Sequence, residues 1–484
     1  MLATKRMNQP VHFPASRRTL LTLALVKAGL AGLSPARALA ANSVSVDNVT
    51  GLYSVEVARV ATPRSTREVS RQVSAWDGKV AVGGGRYSMG GQVAVRGGLH
   101  LDMRQMNGLV WLREAEAAVR VQAGMRWRDL QDHIDPLGLA VKTMQSYSNF
   151  TVGGSVSVNA HGRYVGHGPV GNSVRALQLV LADGSVVEAS RTANADLFRA
   201  ALGGYGAVGV ITEVELDLAK NVRIERHVEE VALADYVRHF QQKVLADSRA
   251  ILHNADLLPP EFNAPVCVSW LRADPHAPLT EPRALVPRGQ RYGLEQNAIW
   301  AFTELPGGDS LRKSVHPLLT GKPVTKWLNH EASLDAAALE PRTRAMSTYV
   351  LQEYFVPQRH FQAFAREMAQ VLRTRRVEAL NVSIRHSPAD HDSLMAWAHE
   401  DVFSFVLYYK QRTWRAAQEE VGRWTRELID IVLRHEGRYY LPYQLHATQA
   451  QFEAAYPQAA QLRRVKRQYD PAGKFSNELW RRYL

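Results

Sequence analysis

Val82-Gly83-Gly84-Gly85-Arg86-Tyr87-Ser88-Met89-Gly90-Gly91 is the stretch on which the fold of this chain turns. It follows a strand-like run, Lys79 to Val82, and holds five glycines. Glycine lets the main chain approach a ligand closely and adopt positive φ, so successive N–H groups can cradle a pyrophosphate. Ser88 adds a hydroxyl donor. The loop is not the G-x-G-x-x-G turn of a βαβ unit, because the next stretch, Val93 to Leu101, reads as strand and not as helix. It is not a P-loop, since no Lys-Ser/Thr pair closes it. Taken alone, such a loop fits a structural turn as well as a ligand site.

Two further segments favour the ligand. Ser146 to Gly162 is nearly uncharged and crowded with small hydrogen-bonding residues. Gly203-Gly204-Tyr205-Gly206-Ala207-Val208-Gly209-Val210 adds a third glycine cluster ahead of a strand. Three such clusters close together suit a large, flat, phosphate-bearing cofactor held mostly by main chain.

Around them the pattern is α+β. Val57 to Ala61 reads as a strand, and Ser65 with Glu68 has the spacing of a capping box. Arg126 to Ile134 is a helix, and Val174 to Leu181 with Ser185 to Ala189 make a hairpin about Asp183-Gly184. Asn194 to Ala201 is helical and Val208 to Leu218 is a strand. From about residue 219 glycines thin out. Thr348–Val356, Ala379–Arg385 and Phe403–Tyr409 read as strands, Arg359–Arg373 and 411–434 as helices. The expected organisation is an export signal over 1–40, a cofactor domain over 50–218, a substrate cap over 219–430, and a segment over 431–484 that packs back on the cofactor domain.

With 484 residues and one cysteine, Cys267, the chain is too long for a single ordinary core and has no intrachain disulfide or thiolate-rich metal cluster. The 17 histidines include no H-E-x-x-H and no matching ligand set, so no metal is expected. No G-x-S-x-G elbow marks a serine hydrolase. Ser16-Arg17-Arg18-Thr19-Leu20-Leu21, a mild apolar run to Leu33 and Ala38-Leu39-Ala40 before Ala41 have the order of a twin-arginine export signal, which points to the periplasm. Peripheral membrane association is compatible with retention of this segment. Residues 1–40 carry six basic and no acidic residues, so removing them takes the net charge from +13 to +7. The rest is spread out, apart from Arg463, Arg464, Lys466 and Arg467, and no nucleic-acid motif accompanies it.

Together with the ending Tyr469-Asp470-Pro471-Ala472-Gly473-Lys474-Phe475-Ser476-Asn477, these clusters resemble the vanillyl-alcohol oxidase-like (PCMH-type) family of FAD-linked oxidases, nearest to its aldonolactone and alditol oxidase branch. The resemblance runs from about residue 50 to Leu484. It implies a two-subdomain FAD fold with an α+β cap and a C-terminal segment returning to the flavin. Gly83, Gly84, Gly85, Arg86, Tyr87, Ser88, Gly90 and Gln92 would hold the pyrophosphate. Ser148, Thr151, Gly153, Gly154, Ser157, His161 and Gly162 would run along the FAD. Gly206, Gly209 and Val210 would line its adenosine or ribityl side, and Lys474 and Asn477 would face the flavin edge or dock the tail.

Departures from the family pattern are informative. Tyr87 stands where many of these oxidases carry a histidine bonded to the flavin, so FAD is expected to be non-covalent. In alditol oxidases a Glu-x-Arg pair on a central strand meets the substrate. Here Arg385 matches the arginine, and Ser383 occupies the glutamate position. Alternation places Ser383 and Arg385 on one strand face and turns His386 away. Tyr440, Tyr443 and His446 are the further catalytic candidates. The implied activity is oxidation of a CH–OH group of a lactone or polyol with hydride transfer to flavin N5, with oxygen, a quinone or a redox protein as acceptor. A reductase acting on a lipid-linked sugar or a C=C bond, and a non-catalytic flavin-fold binding protein, are the competing readings. Oligomeric state is not specified by the sequence.

Overall fold

In the computed structural model, residues 43–290, 292, 323–339, 341 and 343–484 are described. The expected export signal lies outside them, and Val44–Leu484 is one contact unit. Three larger sheets organise it, beside a two-stranded pair of Val44–Asp47 with Ser54–Val57. A small parallel sheet sets Leu99–Asp102 between Arg59–Ala61 and Val80–Gly83. The Gly83–Gly91 loop springs from the last of these strands.

A second, antiparallel sheet runs Val186–Ser190, Val174–Val180, Val210–Lys220, Ala118–Gln122, Leu109–Arg113, with Leu139–Val141 pairing the far end of the long strand. Its hairpin closes as expected at Asp183-Gly184. Asp183 accepts from the amide and hydroxyl of Ser185, and Gly184 takes φ +86°, which only glycine adopts without strain. In Val210–Lys220 buried residues alternate with partly exposed ones from Thr212 to Leu218, the period-two signature of a strand with one face on the core.

The chain crosses at Lys220–Arg223 into a third sheet of eight strands. Their order is Thr325–Trp327, Arg223–Glu230, Val266–Arg272, Ala250–Leu257, Ala379–Ser387, Val402–Arg412, Ser347–Pro357, Arg438–Tyr439. Helices Phe361–Thr374 and Arg415–Arg434 cover one face. Phe361, Phe364, Ala365, Met368 and Leu372 recur at helical spacing and are buried. Phe364 packs on Tyr354 and Phe405, and Trp424 on Tyr409, all side chains of that sheet face. Alternation along the strands therefore turns Tyr349, Leu351, Glu353, Arg385, Val406 and Tyr408 the other way, toward the cofactor half.

Some sequence expectations need correction. Val93–Leu101 is not a strand until Leu99, because Gly97 (φ +70°) and Gly98 carry a turn through it. Val57–Ala61 breaks at Ala58 into strands of different sheets. The 411–434 helix begins only at Arg415, since Gln411 and Arg412 pair with Thr348 and Ser347. The capping box at Ser65 is half formed: Ser65 accepts from the amide of Glu68, while the Glu68 carboxylate accepts from Arg64. No helix among the described residues is long and apolar enough to cross a membrane.

The C-terminal segment ties the halves together. Arg438–Tyr439 completes the eight-stranded sheet, and Phe475 bridges to Val80 in the strand that feeds the glycine loop. The amide of Val80 donates to Lys474 O at 2.8 Å and that of Ser476 to Val80 O at 3.0 Å.

Candidate active site

The glycine loop leaves a row of main-chain donors unused. Among the described residues, the amides of Gly84, Gly85, Arg86 and Ser88 make no hydrogen bond to the protein, whereas the neighbouring Met89 amide donates to Pro442 O. Arg86 sits at φ +61°, a left-handed conformation costly for a residue with a side chain. Its guanidinium is anchored by Asp102 at 3.0 Å and by His100 Nε2 at 3.1 Å. Burial, with Arg86 alongside, pushes His100 down to about 4. The ring is therefore neutral, donating from Nδ1 to Val93 O and accepting from Arg86. Gln92 closes the loop, accepting from the Gly90 amide and donating to Leu441 O and Tyr443 O.

Beside the loop lies the short helix Val152–Ser157, entered at Thr151. It backs so closely on neighbouring chain that a Cβ on Gly153 would fall 2.6 Å from Ala123 Cβ, and one on Gly154 2.7 Å from Thr151 Oγ1. Tyr205 to Ile211 forms a third wall, where Gly206 (φ +72°) leaves open space. The free face of the eight-stranded sheet forms the fourth. One long cavity runs between them, bordered by Gly84, Arg86, Thr151, Gly206, Glu353 and Arg385 among others.

Buried polar atoms without a partner gather on this wall: Thr151 Oγ1, Ser146 Oγ, Arg86 Nε, His161 Nδ1 and Arg385 Nε. Native proteins seldom leave such atoms unpaired unless a ligand completes them. Free amides and a cation at one end, with polar groups along the length, fit a dinucleotide with a pyrophosphate in its middle. FAD therefore fits the residues present.

At the sheet end the chemistry concentrates. His161 Nε2 lies 2.6 Å from Glu353 Oε1, and the Tyr443 hydroxyl donates to Glu353 Oε2 at 3.1 Å. Burial raises the Glu353 carboxyl, but the His161 contact, the Arg385 charge and the Tyr443 hydroxyl outweigh it, leaving it below the ordinary value. Among the described residues Arg385 makes no hydrogen bond, and burial pulls its guanidinium below its usual value against the opposing pull of Glu353. Tyr440 donates to Val158 O at 2.8 Å, and burial pushes both Tyr440 and Tyr443 well above 10, so they are neutral donors.

Of the residues singled out from sequence, Gly84, Gly85, Arg86, Tyr87, Ser88, Gln92, Thr151, Gly153, Gly154, Ser157, His161, Gly206, Gly209, Arg385, Tyr440 and Tyr443 reach the cavity. The others stand behind its wall. Gly83 packs against His100, Gly90 against Tyr443 O and Gly162 against Met144 O, each too close for a Cβ. The Ser148 hydroxyl donates to Leu334 O, and Val210 is core. Lys474 Nζ donates to Val73 O, and Asn477 caps the last helix while donating to Tyr205 O, so both dock the tail. Ser383 shares the Arg385 face but lies level with Asp256 and does not border the cavity. His446 lies under Gly422 of the long helix, where burial pushes it to about 4. His386, as expected, faces away, packed on Phe240 and Phe403.

Glu353 and Tyr147 are among the cavity residues that sequence reasoning missed. A signal existed for Glu353: it is the one charged residue in the run Ser347–Pro357.

Fold and cavity together define a flavoprotein with a two-part FAD-binding architecture. Residues 57–190 match the FAD binding domain family and residues 341–483 the D-arabinono-1,4-lactone oxidase family. The chain is 36% identical over 150 residues to L-gulonolactone oxidase of Mus musculus, covering 31% of this chain and 34% of that protein. It is 30% identical over 190 residues to alditol oxidase of a Streptomyces species, covering 38% and 45%. Against a putative D-arabinono-1,4-lactone oxidase of Neurospora crassa it is 37% identical over 114 residues, 24% and 20% of the two chains. The matched stretches thus span less than half the length of each relative. The chain has the vanillyl-alcohol oxidase-like, PCMH-type FAD-binding fold, and its similarity lies with the aldonolactone and alditol oxidase branch. Its FAD is bound non-covalently: Tyr87, its ring tilted against Phe150 with centroids 4.4 Å apart, offers no imidazole for a histidyl bond.

Proposed function

We propose that the protein is an FAD-dependent oxidoreductase that oxidises a CH–OH group of a sugar-derived small molecule, an aldonolactone or alditol. The observation that carries this reading is Arg385, a buried guanidinium on the cavity wall with no hydrogen-bond partner of its own, facing the Glu353–His161–Tyr443 cluster. An unpaired cation beside a buried carboxylate is poised to receive a polar, oxygen-rich molecule.

Bound FAD supplies the two-electron acceptor, taking hydride at its N5. The amides of Gly84, Gly85, Arg86 and Ser88, with the Arg86 guanidinium, would hold the pyrophosphate, and the Thr151–Ser157 segment would lie along the cofactor. Arg385 orients the substrate oxygen and stabilises negative charge as the carbonyl forms. Tyr443 and Tyr440, kept neutral and already donating to Glu353 and to Val158 O, brace the wall of the site and exclude water. The acceptor that reoxidises the flavin is oxygen, a quinone or a redox protein. The Ser16–Ala41 sequence supports export in folded form, which fractionation of expressing cells would test.

Anaerobic titration of the yellow holoenzyme with D-arabinono-1,4-lactone and a series of alditols should bleach the flavin. Bleaching only by a lipid-linked sugar would replace this reading with the reductase one. A flavin left oxidised by both sets would mean that the fold serves binding alone.

A further inference from the structure

We infer that the His161–Glu353 pair is the proton acceptor of the reaction, with His161 Nδ1 the atom that takes the substrate's hydroxyl proton. This rests on the reading of the cavity as an alcohol-oxidising site.

The sheet register supplies the first argument. Val406 pairs with Ser383 on one side and with Glu353 on the other. The three residues form one row across the sheet, so their side chains share a face. The carboxylate absent from the Arg385 strand is thus present in the same row, two strands away, and unlike Ser383 it borders the cavity.

Tautomer logic supplies the second. Glu353 is held ionised and can only accept, so the proton in the 2.6 Å contact sits on His161 Nε2. With the imidazole neutral, Nδ1 is the nitrogen that carries the lone pair. It is buried without a partner, on a side chain that forms part of the cavity wall. Leaving a buried acceptor unpaired costs about 1–3 kcal/mol, a loss tolerated where a ligand or substrate completes it. Phe355, Trp397 and Tyr440, with ring centroids 5.6, 4.8 and 6.1 Å from the imidazole, fix its plane. The charged and titratable groups facing the pair are Arg385, Tyr440, Tyr443 and Tyr205, all but Arg385 neutral in the ordinary range.

In the step, the substrate O–H bond breaks and its proton passes to His161 Nδ1. The O–H electron pair becomes the new C=O bond while the carbon's hydrogen leaves with its own pair to the flavin. The resulting imidazolium is neutralised by Glu353, itself fixed by Tyr443. His161 is the catalytic residue here and Glu353 its positioning residue.

The test is stopped-flow anaerobic reduction of holoenzyme by D-arabinono-1,4-lactone and by five- and six-carbon alditols, comparing wild type with His161→Ala, Glu353→Gln and Glu353→Asp. We expect His161→Ala and Glu353→Gln each to slow bleaching by about 10²-fold or more, with FAD affinity essentially unchanged. Added imidazole should restore His161→Ala, and Glu353→Asp should recover part of what Glu353→Gln loses. Wild-type rates in His161→Ala, absence of imidazole rescue, or loss of FAD from that variant would overturn the assignment while leaving the oxidising site in place. If no probe bleaches the wild type, it is the function reading that fails. Nitrogen-15 NMR of histidine-labelled holoenzyme then decides the relay separately: an unprotonated Nδ1 on His161 supports it, and a protonated Nδ1 overturns it.

Discussion

Arg385 and Arg86 are both cations on the cavity wall, yet their surroundings assign them different work. Arg385 has no hydrogen-bond partner and is weakened by burial, so its interactions are reserved for what enters. Replacing it with Ala should lower kcat/KM by about 10²–10³-fold with FAD still bound, the size expected for losing one preorganised charge. Arg385→Lys should rescue little, because an ammonium cannot reproduce the planar fork of donors. Arg86, by contrast, is already committed to Asp102 and neutral His100, and its backbone is held left-handed. Asp102 also takes Arg104, so Asp102→Ala frees two cations at once. With its anchor gone, the loop should relax toward ordinary φ and weaken FAD binding about tenfold, a loss of roughly 1.4 kcal/mol, readable by flavin fluorescence titration.

The tail shows how distant segments hold the loop in place. Asp470 accepts from Lys466 Nζ at 2.7 Å and from the amides of Lys474 and Phe475, while Lys466 also donates to Ala207 O and Phe475 O. This knot joins the third glycine cluster to the strand that launches the first. Asp470→Ala leaves a largely buried ammonium without its counter-ion and should cost about 3–5 kcal/mol of unfolding free energy, with FAD lost at concentrations that saturate wild type; urea titration and a visible spectrum would record both. The glycine clusters and the shared ending were legible because their chemistry is local: positive φ, close approach and a short turn all leave marks in neighbouring residues. Most strands were legible for the same reason, since alternation is a nearest-neighbour pattern. What could not be read was register. Glu353 meets Ser383 only through Val406, and nothing in the segments containing them fixes that alignment. His446 was misplaced by similar logic, and Lys474 took the tail-docking one of its two alternatives, since a residue's sequence position next to a site does not say which way its side chain turns.

Among the described residues, four buried histidines carry strongly depressed values: His253 about 3, and His100, His386 and His446 about 4. Burial is the largest cause in each. Because the unfolded chain takes up these protons first, near pH 6.5, stability should fall as pH drops from about 6.5 toward 4, by up to ~1.4 kcal/mol per pH unit for each histidine. Urea midpoints at pH 7, 6 and 5 would show the slope, and His253→Gln should flatten it by one proton's share. Cofactor linkage acts on the same unit in the opposite sense. With Tyr87 in the loop, FAD exchanges with solution, and a ligand that binds only the folded state stabilises by RT ln(1 + [L]/Kd), about 2.7 kcal/mol at a hundredfold excess over Kd. Melting temperature should therefore keep rising with added free FAD after the site is full, and acid precipitation should leave the yellow colour in the supernatant. A covalently tethered flavin would give a melting temperature indifferent to free FAD and a yellow pellet, so the two measurements decide whether the open loop amides of Gly84, Gly85, Arg86 and Ser88 hold the cofactor by main-chain hydrogen bonds alone.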